Sequence, residues 1–273
     1  MNLNLKKTLR AVSAAGLLAA VSASASAGAV LDGWQLVTPN TIKTGIGRLN
    51  LSSGTSTVSQ EINGSGQAYV GARFTESGTI FSVTYTPENV VGAGDSGAPS
   101  FLGDFLTLTF TDVAGTVTAL NAGGGFHYQF DSGTFTMSGM GGNYASGSIV
   151  GLGGNASSTA VIGGLNGDST VLANIAAILN QQFDLRDSAG VSLRPDLLSG
   201  AVLFEAVTNN NTTGNLGLGA CSFDQQATCA TVSIASAGDA YLIRKVPEPG
   251  TLALAGFALL GLGAVRRRRS AAK

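Results

Sequence analysis

The sequence predicts a mainly β protein: a sandwich or jelly-roll-like body with one helix, set between an apolar N-terminal leader and an apolar C-terminal helix that ends in arginines. Three observations predict it. Several short runs alternate apolar and polar residues with period two, as half-buried strands do. Turn-forming residues are abundant, with 39 Gly in 273 residues, and they do not recur at every third position as a collagen requires. Only one stretch of the body places apolar residues at helical spacing.

At the N-terminus, Lys6, Lys7 and Arg10 form a basic leader, and Ala11 to Val21 is an apolar core too short to span a bilayer. Ala25-Ser26-Ala27 fits the A-x-A pattern read by signal peptidase. Residues 1–27 are therefore expected to be a signal peptide, delivered by the general secretion machinery and cut between Ala27 and Gly28. A cut after Ala25 fits nearly as well.

The body, 28–245, supplies the strands. Thr79 to Thr86 puts Phe81, Val83 and Tyr85 on one face. Asp104 to Thr111 puts Leu106, Leu108 and Phe110 together, with Thr107 and Thr109 opposite. Phe126, Tyr128 and Phe130 share a face that excludes His127 and Gln129. Asp131-Ser132-Gly133 reads as a hairpin-like turn into a further run with Phe135 and Met137. Weaker strand candidates are Ala68 to Phe74, Ala201 to Val207, Thr231 to Ala235 and Ala240 to Lys245. The segment 139–167 is glycine-rich and nearly uncharged, the expected place for a break between two halves. Val171, Leu172, Ile175, Ile178, Leu179 and Phe183 fall at helical spacing, with Asp168 or Ser169 able to cap the start.

Cys221 and Cys229 are the two cysteines of the chain. Export would place them in an oxidising compartment, where an even count at close spacing reads as a disulfide. A metal pair is the weaker reading, because no further Cys or nearby His completes a zinc set.

At the C-terminus, Thr251 to Val265 is an uncharged run of 15 residues, short against the roughly 20 that a helix needs to cross a bilayer. Arg266, Arg267, Arg268 and Arg269 follow as a basic stop that stays cytoplasmic by the positive-inside rule. The chain before the run then lies outside the cytoplasm, as the leader also requires. Pro247 and Pro249 hold the backbone extended around Glu248. Pro247-Glu248-Pro249, the apolar run and the arginine cluster together resemble the PEP-CTERM sorting signal, over residues 246–273. The resemblance implies export in a Gram-negative bacterium that makes exopolysaccharide. It also implies processing near the motif by an exosortase, a membrane-embedded cysteine protease. The apolar run then acts as a transient inner-membrane anchor, after which the protein reaches the cell surface or the extracellular matrix.

Removing the two ends leaves 7 Lys+Arg against 15 Asp+Glu in the body, a net charge near −8. That disfavours nucleic acid and anionic lipid as partners, since both need clustered cations. Gly94-Asp95-Ser96-Gly97-Ala98-Pro99 resembles the nucleophile motif of trypsin-like serine proteases, with Ala98 where that family has glycine. A serine nucleophile needs a base in reach. In that family the histidine precedes the serine, whereas His127, the single histidine, follows Ser96; the segment reads as a turn. His127 itself reads as a solvent-facing strand residue. Asn155-Ala156-Ser157 and Asn211-Thr212-Thr213 match glycosylation sequons but read as polar loops, and Asp184, Asp187 and Asp196 do not have calcium-loop spacing. Trp34 reads as a core or rim aromatic. No residue is assigned a catalytic, cofactor-binding or metal role. The expected function is that of a non-enzymatic surface or matrix protein, with exopolysaccharide in a biofilm or floc as the candidate partner. A glycan-binding module is the alternative and a polysaccharide-acting enzyme the third reading.

Overall fold

A computed structural model describes residues 28–88, 98–161 and 164–245. The expected signal peptide with Ala27, the segment with Ser96, and the tail with Pro247, Glu248, Pro249 and Arg266 to Arg269 lie outside the described residues. The chain divides into two units, one of 1–29 with 245–273 and one from Val30 to Arg244. The description that follows concerns the second, with β1 (Gly28–Val30) at its boundary.

The strands are β2 (Trp34–Val37), β3 (Ile42–Glu61), β4 (Arg73–Pro87), β5 (Ser100–Leu120), β6 (Phe126–Gly139), β7 (Gly142–Gly151), β8 (Gly153–Ala156), β9 (Gly167–Ile178), β10 (Asp184–Arg186), β11 (Val202–Cys221) and β12 (Asp224–Lys245). Neighbours pair antiparallel in the order β3, β4, β5, β6, β7, β9, β11, β12. β12 then pairs back onto β3, from Cys229 opposite Glu61 to Ala240 opposite Leu49. The ladder therefore closes on itself as a barrel of eight strands. β8 bridges β6 and β9. β2 pairs the first residues of β3, and β10 pairs β2. Closure removes the open edges that would otherwise invite pairing with other chains. The body is mainly β as expected, but one sheet curls round its own core; it is not two sheets packed face to face.

Three local expectations are corrected. The expected helix from Val171 is β9, a strand paired on both sides. Val171, Ile175 and Ile178 fit a 3.6-residue period, yet Ser169, Val171, Ala173 and Ile175 also fit a period of two. The β-branched Thr170, Val171, Ile175 and Ile178 favour the strand, and β7 and β11 satisfy its backbone. The α-helix among the described residues is α1 (Arg194–Leu198), with Pro195 in its first turn and Leu197 buried. Asp131-Ser132-Gly133 is not a hairpin turn: β6 runs through it, with register shifts against β5 where Asp112 adopts φ 52°. Such a bulge re-aims the strand without ending it. Finally, the run 68–74 is strand only from Arg73, where β4 begins.

The core has two regions inside the barrel. One gathers Trp34, Leu36, Leu102, Tyr144, Phe183 and Leu242. The other gathers Phe74, Val117, Phe126, Val161, Leu165 and Val232. Phe110 packs against both. The glycine-rich 139–167 segment contributes β7 and β8 to the wall; at Gly147 an added Cβ would come within 1.9 Å of the Asn174 carbonyl oxygen, so this crossing of β7 and β9 requires glycine.

Candidate functional site in the barrel lumen

An eight-stranded barrel is just wide enough for side chains to fill it or for one small ligand to be held. Here the inward residues do not fill it. Between the two core regions lies a cavity of about 90 Å³, and every barrel strand contributes to its wall: Leu51, Glu76, Leu108, Phe130, Ile149, Ser169, Phe204 and Ser236 each come from a different one. A smaller space of about 40 Å³ adjoins it under Phe74, Phe126 and Tyr128. Glu76 and Asn210 line both. The room arises because Ala173, Ala206, Ser169 and Ser236 stand opposite larger apolar groups.

The strand period puts Glu76 inside. Phe74, Glu76, Gly78 and Ile80 alternate along β4, and Phe74 and Ile80 are buried. Gly78 lets β4 approach β3 beside the carboxyl, since a Cβ there would lie 2.5 Å from the Ser56 Cβ. Glu76 is the single acidic side chain among the residues lining the two spaces. Its residual exposed surface faces the cavity. Burial pushes its pKa above the ordinary carboxylate range; neighbouring Ser56 acts in the opposite direction but more weakly. Ser56 Oγ is itself buried and completes no hydrogen bond of normal geometry.

The other polar groups of the lumen are bonded to one another. Ser169 Oγ and Thr208 Oγ1 are 2.7 Å apart, and Asn210 Nδ2 donates to Ser169 Oγ at 3.1 Å. Thr208 Oγ1 and Ser236 Oγ donate to Asn210 Oδ1 at 3.2 and 2.8 Å. Tyr128 donates its hydroxyl to the Asp168 carbonyl oxygen at 3.1 Å; burial, then the nearby Glu76, raise its pKa. Phe74 meets Tyr128 and Phe130 edge-on, with centroids 5.4 and 5.9 Å apart, so β6 brings to the lumen the aromatic face that its alternation predicts.

At one end of the barrel a second polar cluster is purely structural in geometry. Asp104 is buried on β5 and accepts from Tyr144 Oη at 2.6 Å, from the Phe105 amide at 2.7 Å and from the Met140 amide at 3.0 Å. Burial alone would raise its pKa, but these bonds and Thr38 together hold it below the usual range. The Tyr144 ring stacks on Phe183 at 5.2 Å.

The remaining candidates fall as follows. Cys221 and Cys229 form the disulfide, with Cα atoms 5.0 Å apart, across the far end of the β11–β12 hairpin. Trp34 is buried in the core. His127 is exposed on the outside of β6. The two sequons are strand rather than loop: Asn155 lies in β8, bonded to Asp168 Oδ1 at 3.2 Å, and Asn211 in β11. Asp184 pairs with Arg186, Asp196 with Arg244, and Asp187 accepts from the Val191 amide. Among the described residues no group of three His, Cys, Asp or Glu side chains could hold a metal. Glu76 itself was not singled out from the sequence, because the strands on either side of it read as two separate runs; a lone acid in phase with Phe74 and Ile80 was the available signal.

A model of the PEP-CTERM protein-sorting motif matches residues 245–269. No curated protein and no solved structure matches the chain. The match gives the chain a PEP-CTERM sorting motif, which indicates an exported protein of a Gram-negative bacterium sorted by exosortase.

Proposed function

We propose that the chain is a non-enzymatic surface or matrix protein that works among exopolysaccharide in a biofilm or floc. The match of residues 245–269 to the sorting motif carries this reading. Signal peptidase and the general secretion machinery deliver it, and the tail holds it transiently at the inner membrane before exosortase acts. Deleting the gene should reduce cell aggregation and polysaccharide retention, and complementation should restore both. Unchanged aggregation and retention in the deletion strain would refute the reading.

One observation favours a glycan-binding module as the second reading. Phe105 is exposed on the outer face and lies against Phe81 at 5.2 Å. Beside it, β5 and β6 pair Thr107 with Ser138, Thr109 with Thr136 and Thr111 with Thr134. An aromatic surface next to a row of hydroxyls offers a sugar ring both an apolar face and hydrogen bonds. A glycan array probed with the purified protein tests it: saturable binding that Phe105→Ala removes supports this reading, and an array without signal rejects it.

A further inference from the structure

Three features meet at the middle of the barrel. The cavity is lined by all eight strands and is apolar over most of its wall. Glu76 lines it, and of the described side chains Ser56 is the one that stands as a hydrogen-bonding neighbour of its carboxyl. The other polar groups, Ser169, Thr208, Asn210 and Ser236, are already bonded among themselves. A carboxyl with a single hydroxyl neighbour keeps further donor and acceptor capacity unused. Its oxygens are therefore the groups that a bound molecule would complete.

The chemistry of the wall restricts that molecule. No lining residue is cationic, so an anionic head group would enter uncompensated beside an acid. Glu76 has a raised pKa, which favours its neutral form, and a neutral carboxyl both donates and accepts one hydrogen bond. A hydroxyl does the same, so the two groups pair reciprocally. The facing titratable group is Tyr128, also held neutral; β3 contributes Ser56, β5 Val113, β9 Ser169, β11 Thr208 and Asn210, and β12 Ser236, none of them charged. The cavity and the adjoining space, about 90 and 40 Å³, together approach the roughly 150 Å³ of a cavity that takes up benzene.

We propose that the lumen binds a compact, uncharged apolar molecule bearing one hydroxyl, with its hydrocarbon body between Ile80, Leu108, Phe135 and Phe204 and its hydroxyl on the Glu76 carboxyl. This goes beyond the matrix reading and does not depend on it, so either can fail alone.

The test is a ligand-detected NMR titration of the exported protein with benzyl alcohol, toluene, benzoate and benzylammonium. Benzyl alcohol should bind about fivefold more tightly than toluene, the value of one net hydrogen bond. Benzoate should not bind. Glu76→Leu should erase the preference for the alcohol while toluene still binds. Ala206→Phe should fill the cavity and abolish both; if that variant does not fold, the Glu76→Leu comparison still decides. Failure of both benzyl alcohol and toluene to bind would overturn the proposal. So would benzoate binding as well as the alcohol, benzylammonium binding better than it, or a preference that survives in Glu76→Leu.

Discussion

Replacing Asp104 by alanine should destabilise the barrel about as much as truncating a large buried apolar residue at the same end. The carboxylate receives Tyr144 Oη and the amides of Phe105 and Met140. A hydrogen bond to a charged group is worth about 1.5–3 kcal/mol, and a buried donor left unpaired costs about 1–3 kcal/mol. Phe105 is partly exposed, so water can serve its amide after the substitution, which leaves two stranded donors. The expected loss is about 3–5 kcal/mol, a large part of the 5–15 kcal/mol that typically holds a domain together. Urea unfolding should report it as a midpoint lowered by about 1–2 M at the usual slope. Tyr144→Phe keeps the stack on Phe183 and removes two bonds, the one donated to Asp104 and the one accepted from the Gly141 amide at 3.0 Å, for about 2–4 kcal/mol. In the Asp104→Ala background the same change should cost only the Gly141 bond, about 0.5–1.5 kcal/mol, so the coupling energy should equal the worth of the Tyr144–Asp104 bond, about 1.5–3 kcal/mol. The pH dependence has a definite sign. The folded-state pKa of Asp104 is lowered, so its contribution is present above the ordinary aspartate range and is lost as pH falls through the lowered value. Acidification should therefore bring wild type and Asp104→Ala together. A coupling energy below about 0.5 kcal/mol, the limit for independent sites, would refute the reasoning.

Glu76 should show the opposite pH dependence. Its folded pKa is raised, so stability present at acidic pH is lost as pH rises through that value; Glu76→Gln should flatten the alkaline limb of a stability–pH profile, and parallel profiles would contradict its burial. Serine at both Cys221 and Cys229 should lower stability by about 2–3 kcal/mol in the chain-entropy model, while peptide mapping of the exported wild type should find no free thiol. Alanine at Pro247, Glu248 and Pro249 should leave membrane insertion intact, because hydrophobicity and the basic block drive it. It should also prevent removal of the tail, so equal release from membranes in wild type and variant would reduce the motif to coincidence.

The sequence announced its strands wherever large apolar residues alternate: Leu106 and Leu108 on β5, and Phe126, Tyr128 and Phe130 on β6, face inward as their spacing requires. It was silent where the wall is built from small residues. Between the buried Leu51 and Val58, β3 carries Gly54 and Ser56 at inward positions, and that middle stretch has no apolar signal to read. β9 was misread because one set of β-branched residues satisfies two periods, and only the presence of partners on both sides decides between them. Barrel and sandwich present the same alternation along each strand; they differ in whether the last strand returns to the first, a pairing across 168 to 191 residues that local pattern does not encode. The lumen was hidden for the same reason, since Glu76, Asn210 and Ser236 become neighbours only on closure.

The meeting of β3 and β12 also sets a timetable for secretion. Half of the hydrogen-bonding capacity of β3 over residues 49–61 waits for a strand that ends at Lys245, where the sorting motif begins. Chains dominated by such distant pairings fold slowly. During translocation the first strands must therefore stand in the periplasm unclosed, exposed to proteases and to sister chains, until nearly the last residue of the body has crossed. A tail that detains each molecule at the membrane at that moment would give the ring time to shut before the protein is set free.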